Sequence, residues 1–572
     1  MFNIAARGRR AAQAILLATL TAVLCFPAAA WATDAQVTDI WSKAAVNNLC
    51  DGSMPLCDYS ATDKANVGTL PTAFDLRDPN GDGDRSDSVV IPVKSQYPWG
   101  CCWAFASIAA SETSILSKLG TTYAETPLDL SERQLVNSVF AENGAPESAV
   151  GSAQAGEGYH HADFSKSNNE GYEQGGRATF SIALFAAGAG LVPESLAPFQ
   201  NEEGIKVCNV TLAGSSTTEK MYLTDAQITT YKAQGATVTP LHYAGNYGGE
   251  HDNDNATTWS TSESLWFQSP YVLDNGNALP STRVLDSDEK YLSTNMEAVS
   301  AIKGELYSGR GVFTTYRYDA STANDQGLSK YFDKNTCSHY TWESGGANHA
   351  VTIVGWDDNY SASNFKNTEG KTPEGNGAWL VKNSYGAQTE EFPNYRDWGI
   401  VENGQSTGYF WISYYDQSIG KFHSFDFDVA NQAHSDSSYT DQYDYLPIRN
   451  IIYQKSDTPV SAANVFTAQG DLLLRNLSSW TCKPNTTVTY QVYLLDDQAQ
   501  SPTDADHANL VYTGSQTYAY SGYHRIALDD TAKVAMREGQ RYAVVTTQKC
   551  DTDGKYYLGA GMKTPAPAST RR

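Results

Sequence analysis

The chain has 572 residues, 41% apolar and 12% aromatic, which is enough for two or three packed domains and excludes a disordered polymer. Its 40 Lys and Arg stand against 64 Asp and Glu, a formal charge of -24, and a surface of that sign repels nucleic acid and anionic lipid.

Residues 1–32 carry Arg7, Arg9 and Arg10, an apolar run from Ala11 to Phe26, and small residues at Ala28, Ala30 and Ala32. This is the layout of a cleavable signal peptide and predicts a secreted or extracellular, cell-surface-associated protein. Gln13, Thr19 and Thr21 dilute the run below the roughly 20 apolar residues of a membrane span. Cleavage removes three arginines and no acids and takes the charge from -24 to -27. No later run is long and apolar enough to cross a bilayer, so no membrane insertion is expected once the leader is gone. Residues 33–69 are polar and read as a short propeptide or N-terminal extension.

The loop Asp78 to Asp87 places oxygen side chains at alternate positions, Asp78, Asn80, Asp82 and Asp84, with glycine at the sharp turn. It matches the first half of a calcium loop, but Val89 stands where the closing carboxylate belongs. Calcium is therefore a secondary expectation beside an ordinary Asp/Gly turn, and no other metal or cofactor is expected. A short strand, Val89 to Val93, comes next. Beyond it, Ile108, Ile115, Leu116 and Leu119 share one helical face, and Gly120 ends the helix.

Cys102 stands where that helix begins. A thiol attacks well as a thiolate, and the positive end of a helix dipole favours that charge. His349 opens the extended run Ala350 to Trp356 and is placed to serve as base. Asn383 ends the apolar strand Ala378 to Lys382 and is placed to orient the ring. The Gln96 amide and the Cys102 backbone N–H can supply oxyanion donors. Taken singly, a helical cysteine reads as a small hydrophobe and a strand histidine as a satisfied core residue.

The local words bind these positions together. Gln96-Tyr-Pro-Trp-Gly-Cys-Cys102-Trp103-Ala-Phe, Leu130-Ser-Glu-Arg-Gln-Leu-Val136, Gly175-Gly176, Asn348-His349-Ala-Val351 and Lys382-Asn383-Ser-Tyr385-Gly386 occur in that order. Together they resemble the papain family of cysteine peptidases over roughly residues 70–416. The resemblance implies Cys102 as nucleophile, His349 as base, Asn383 as orienter and Gln96 as oxyanion donor. It also implies Gly175, Gly176 and Asn348 at the substrate cleft, with Trp103 and Tyr385 in support and no metal in catalysis. Two positions that usually hold a bridged cysteine pair are Trp99 and Ser138 here. Tyr385 replaces the tryptophan that usually shields the asparagine, and Cys101 replaces a serine.

Nucleophile and histidine lie 247 residues apart, against roughly 130–150 in the common family arrangement. The surplus coincides with residues 205–310, rich in Tyr, Asn, Thr and Gly, which read as insertions over a core. After 420 the pattern turns to period-2 segments such as Thr487 to Leu494 and Arg541 to Thr546, separated by turns, as in a β-sandwich. This part resembles, more weakly, the lectin-like domains that follow papain-type modules. Tyr518, Tyr520 and Tyr523 on its strands read as core or as a platform for sugars. Regional grouping pairs cysteines 50/57, 208/337 and 482/550 and leaves Cys101 over; connectivity is not deducible from sequence.

The expected architecture is α+β. A two-lobed papain-like fold, with a helical lobe and a β-barrel-like lobe, spans 70–420, an all-β sandwich spans 421–562, and a disordered tail spans 563–572. The expected function is a secreted cysteine peptidase, an endopeptidase, acting through a thioester on protein or peptide substrates, with cell-surface glycans as partners of the C-terminal domain. The alternatives are a non-catalytic adhesin on a peptidase scaffold and a cell-wall-directed cysteine amidase or transferase.

Overall fold

The computed structural model describes residues 70–140 (without 97–98), 175–199 (without 187 and 189), 206–243, 261–318 (without 262–264 and 266–267), 330–365, 369–388, 398–429 and 450–562 (without 469 and 529–532), together with a short strand, Val23–Cys25. The signal peptide expected over 1–32 (that strand apart), the extension at 33–69, Cys50 and Cys57, and the tail at 563–572 lie outside the described residues.

The first domain opens with β1 (Ala73–Asp75) and α1 (Cys102–Leu119). The sequence pattern assigns α1 one apolar face, yet every residue from Trp103 to Leu116 is buried. Its polar side chains tolerate this because Ser111 and Thr113 donate back to carbonyls four residues earlier, at 2.8 and 2.7 Å, and Ser114 donates to Phe425 O. Gly120 closes the helix in the left-handed conformation, φ 65°. Helices α2 (Glu132–Phe140) and α3 (Ala178–Ala186) pack beside it and complete a helical lobe.

The β lobe is built from β2 (Val272–Ala278), α4 (Met296–Tyr307), β3 (Val312–Tyr316), β4 (His349–Asp357), β5 (Ala378–Lys382), β6 (Tyr409–Ser413) and β7 (Gly420–Asp428). The strands run antiparallel in the order β6-β5-β4-β3-β7-β2, with β1 against β4. All eight residues from His349 to Trp356 are buried, as a central strand covered on both faces requires. Helix α1 lies across β4 and β7, so the helix that opens with Cys102 and the strand that opens with His349 touch directly.

The 205–310 segment divides into two unlike parts. Residues 206–243 form a separate three-stranded sheet with helix Asp225–Ala233 and a small core of Cys208, Val210, Leu223, Ile228 and Val238. By contrast, β2 lies inside the main sheet, and α4 buries Val299, Ile302 and Leu306 in the β-lobe core, so these parts are core rather than covering insertions. The sequence hides β2 because its reading, Val-Leu-Asp-Asn-Gly-Asn-Ala, carries one fully buried apolar side chain, Leu273. The boundary expected after 420 also moves. Phe422, Phe425 and Phe427 of β7 are fully buried in the peptidase core, so the structural break follows that strand.

The C-terminal domain is a β-sandwich. One layer holds Asn450–Ser456, Ser461–Thr467, Thr486–Leu495, Ala508–Tyr518, Arg541–Cys550 and Tyr556–Met562. The other contains β8 (Asn476–Thr481) and β9 (Ser521–Ala527), and Leu477, Ile526 and Leu528 pack on Val488, Tyr490 and Val492 between the layers. Beyond β8, β9 pairs with β2 of the peptidase domain, so one sheet runs through both domains. Tyr518 and Tyr523 are buried, which fits a core role better than a sugar platform.

No disulfide joins Cys101, Cys102, Cys208, Cys337, Cys482 and Cys550 to one another. The regional pairing 208/337 is not made: Cys208 lies in the small three-stranded unit and Cys337 in the β-lobe core. Cys482 and Cys550 share one buried cluster with Tyr557 but are not bonded.

Candidate active site

Cys102 is the first residue of α1, and Cys101 caps it without a side-chain hydrogen bond. Its sulfur accepts the Ala350 N–H at 3.4 Å, which places the thiol against the residue that follows His349. Thr352 Oγ1 donates to Ala106 O at 2.9 Å and fixes the helix to the strand one turn further along. His349 opens β4 opposite Tyr316 of β3, and its Nε2 is 2.8 Å from Asn383 Oδ1. That oxygen also accepts the Ser384 N–H at 2.8 Å, so its position is set from two sides. With Nε2 committed to an amide oxygen, Nδ1 is left for the sulfur.

Gln96 is fixed by the same residue. Its backbone N–H donates to Ser384 O at 2.9 Å, and its Oε1 accepts Ser384 Oγ at 2.6 Å. Nε2 donates to Trp99 O at 2.7 Å, which leaves one amide N–H for an oxyanion. Ser384 therefore joins the Gln96 amide to the Asn383 amide. The sequence reading quotes this serine only as a letter within a motif.

The imidazole is walled by aromatic rings. Tyr385 stacks on it, with centroids 5.0 Å apart at 23°, while Tyr316 meets it edge-on at 5.7 Å and Tyr318 lies at 6.3 Å. Trp398 supports Tyr385 from the side at 5.6 Å. Tyr316, Tyr318 and Trp398 escape the sequence reading; the apolar and aromatic run from Val312 to Tyr318 was the available signal. Burial lowers His349 to about 4, opposed by the bond to Asn383, and burial raises the Cys102 thiol. Three backbone N–H groups, of Ala350, Trp103 and Cys102 itself, pull the thiol the other way without overcoming desolvation. Cys102 itself is half-buried. The sequence leads one to expect a depressed thiol, because the helix terminus is legible there and the burial is not.

The remaining predicted residues fall into three groups. Gly176 is pressed against Trp103: a Cβ there would lie 2.4 Å from the indole, so glycine is required. Gly175 needs its φ of 64°. Asn348 spends its side chain on the Tyr318 backbone, accepting that N–H at 2.7 Å and donating to its carbonyl. In the acidic loop, Asp78 accepts backbone N–H groups of Gly81, Asp82 and Gly83, while Asn80, Asp82 and Asp84 accept those of Asp82, Asp84 and Ser86. No group of three or more His, Cys, Asp or Glu side chains is placed to hold a metal ion among the described residues.

Behind the site lies a set of charges, with Glu112, Glu132 and Lys382 buried, Lys94 half-buried and Asp129 exposed. Lys94 Nζ reaches Glu132 at 2.7 Å and Asp129 at 2.8 Å, and Glu112 of α1 accepts the Leu130 N–H at 2.8 Å. Burial lowers the neighbouring Lys382 to about 8, with Glu112 opposing. Lys94, Glu132, Lys382 and Asn383 line one small cavity where helical lobe and β lobe meet.

A thiol at a helix N-terminus, an imidazole on a facing strand, an amide bonded to that ring and a second amide tied to the first through Ser384 fit a papain-type cysteine peptidase site. Residues 70–246 match the family described as Papain family cysteine protease, and residues 441–569 match the Lectin like domain. The chain thus carries a papain-family peptidase domain followed by a lectin-like domain. Curated relatives include Peptidase 1 of Dermatophagoides farinae, 36% identical over 74 residues (13% of this chain, 19% of the relative). Cysteine proteinase 2 of Zea mays is 41% identical over 59 residues (10% and 15%). The chain therefore spans less than a fifth of the length of each. A structure of the cysteine protease and lectin-like domains of Cwp84, a surface layer associated protein of Clostridium difficile, is 20% identical and has a TM-score of 0.48 over 86% of this chain and 78% of that one. Bromelain protease from Ananas comosus, solved with the E64 inhibitor, is 16% identical and has a TM-score of 0.27 over 62% and 99%. Among the described residues, no helix is long and apolar enough to cross a membrane.

Proposed function

We propose that this chain is a secreted cysteine endopeptidase that hydrolyses peptide bonds through a thioester on Cys102. The observation that supports the reading is the chain of hydrogen bonds from Gln96 through Ser384 and Asn383 to His349, with the Cys102 sulfur bonded to the residue that follows His349. His349 Nδ1 takes the thiol proton as sulfur attacks the substrate carbonyl. The Gln96 amide and the Cys102 N–H receive the developing oxyanion. His349 then gives its proton to the leaving amine, and a water activated by the same ring hydrolyses the thioester. The leader pattern at 1–32 supports export, and the lectin-like match supports glycans at the cell surface as partners of the C-terminal domain.

The test is alkylation by a thiol-directed epoxide with mapping of the adduct, followed by peptide-library cleavage. Labelling of Cys102 that disappears in His349→Ala, together with cleavage within library peptides, is the expected result. Absence of selective labelling in the folded, reduced protein would establish an adhesin instead. Labelling with acyl transfer but no peptide hydrolysis would establish a transferase.

A further inference from the structure

Nothing in the sequence joins the C-terminal domain to the helix that carries Cys102, yet the structure does so through a seam of four kinds of contact. The first is the backbone: β9 pairs with β2 from Ser521 opposite Ala278 to His524 opposite Asn275. The second is a pair of glycines that permit this approach. A Cβ on Gly522, whose φ is 126°, would lie 2.1 Å from Gly276 O, and a Cβ on Gly276 would lie 2.8 Å from Ile182 of α3. The third is polar. His524 is 1% exposed, with Nδ1 3.0 Å from Asn275 Oδ1 across the seam and Nε2 3.1 Å from Thr481 Oγ1 on its own side. Arg525 reaches Asp274 at 3.4 Å, and Asp274 in turn meets Lys118 of α1 at 3.5 Å.

The fourth contact is the core itself. Tyr523 of β9 is buried in the same apolar cluster as Trp103, Phe105, Phe185 and Phe425, and Trp480 of β8 packs against that cluster. A module tethered for targeting keeps its own core and meets its neighbour over a polar, separable surface. Here side chains of the C-terminal domain finish the core that holds α1.

We propose that the C-terminal domain is a structural component of the helical lobe, and that the conformational stability of the α1 helix, and with it the reactivity of Cys102, depends on the seam between β9 and β2. The reactivity half rests on the peptidase reading given above; the stability half does not. Both domains unfold as one unit, and damage deep in the sandwich is felt at α1.

The experiment uses the full chain and two variants, Gly522→Ala at the seam and Val492→Ala in the sandwich core. Calorimetry and amide hydrogen exchange of residues 102–119 are read alongside the epoxide labelling rate of Cys102. The wild type is expected to melt in one transition. Val492→Ala is expected to lower exchange protection in α1 on the order of tenfold, together with that of the sandwich. Gly522→Ala is expected to slow labelling and to lower α1 protection, and loss of both domains together in either variant is the same result carried further. Two separate transitions, with α1 protection in Val492→Ala equal to wild type, would overturn the proposal. If wild-type Cys102 resists the epoxide, the peptidase reading fails while the exchange data still decide the seam.

Discussion

Replacing Asn383 with alanine removes one oxygen and orphans two donors. The side chain is buried, and its Oδ1 accepts His349 Nε2–H and Ser384 N–H, each at 2.8 Å. A buried donor without a partner costs about 1–3 kcal/mol, so the two together are expected to lower folding stability by about 2–6 kcal/mol. The catalytic share is separable, because only the His349 bond strengthens when the ring takes the thiol proton. If about 2 kcal/mol of stabilisation is confined to that charged state, kcat/KM falls about 30-fold. Peptide hydrolysis, epoxide labelling of Cys102 and thermal melts measure these losses on one sample. Asn383→Asp is the control: it retains the acceptor and adds a negative charge, so His349 rises from about 4 and the acid limb of the labelling profile moves to higher pH. A variant Asn383→Ala with a lowered melt and kcat/KM within twofold of wild type would refute the orienting role and leave the residue purely structural.

Gln96→Ala removes the amide locked by Ser384 and is expected to cut kcat by on the order of a hundredfold with little change in KM, measured by steady-state hydrolysis. Gly176→Ala drives a Cβ into the Trp103 indole and is expected to cost about 1–3 kcal/mol in denaturant unfolding. His524 is lowered by burial to about 4, so the unfolded chain binds its proton near pH 6.5 and the folded chain does not until about 4. Its contribution to stability is therefore present above about pH 6.5 and is lost as pH falls toward 4, so the stability gap between wild type and His524→Gln narrows over that window in urea titrations.

The parts of the site that were legible in the sequence are those carried by contiguous words. Gln96 and Cys102 share a seven-residue stretch, and His349 and Asn383 each sit in a short apolar run whose strand character is plain from composition. What escaped depends on register. Tyr316 meets the imidazole because β3 pairs with β4 residue by residue, and no local pattern states which residue falls opposite His349. The seam escaped for the same reason at longer range, with His524 and Asn275 separated by 249 positions. β2 escaped for another: a strand that must pass close to Ile182 uses glycine and polar residues where a pattern search expects branched apolar ones. Burial escaped as well, which is why the helix terminus alone suggests a depressed thiol when desolvation dominates.

Among the described residues, the His349 ring meets an amide oxygen and the faces or edges of tyrosines. A carboxylate in the place of Asn383 would hold the ring charged in advance, whereas an amide fixes its tautomer and direction without doing so. As sulfur attacks, negative charge passes to the substrate oxygen. The groups that must meet that charge cannot be recruited at that moment without a reorganisation cost. Ser384 removes this cost beforehand, since its hydroxyl, N–H and carbonyl hold Gln96 and Asn383 in fixed relation while pH and substrate change around them. The site is thus prepared in its geometry, and for that reason stability in the lobe that carries Cys102 matters to its chemistry.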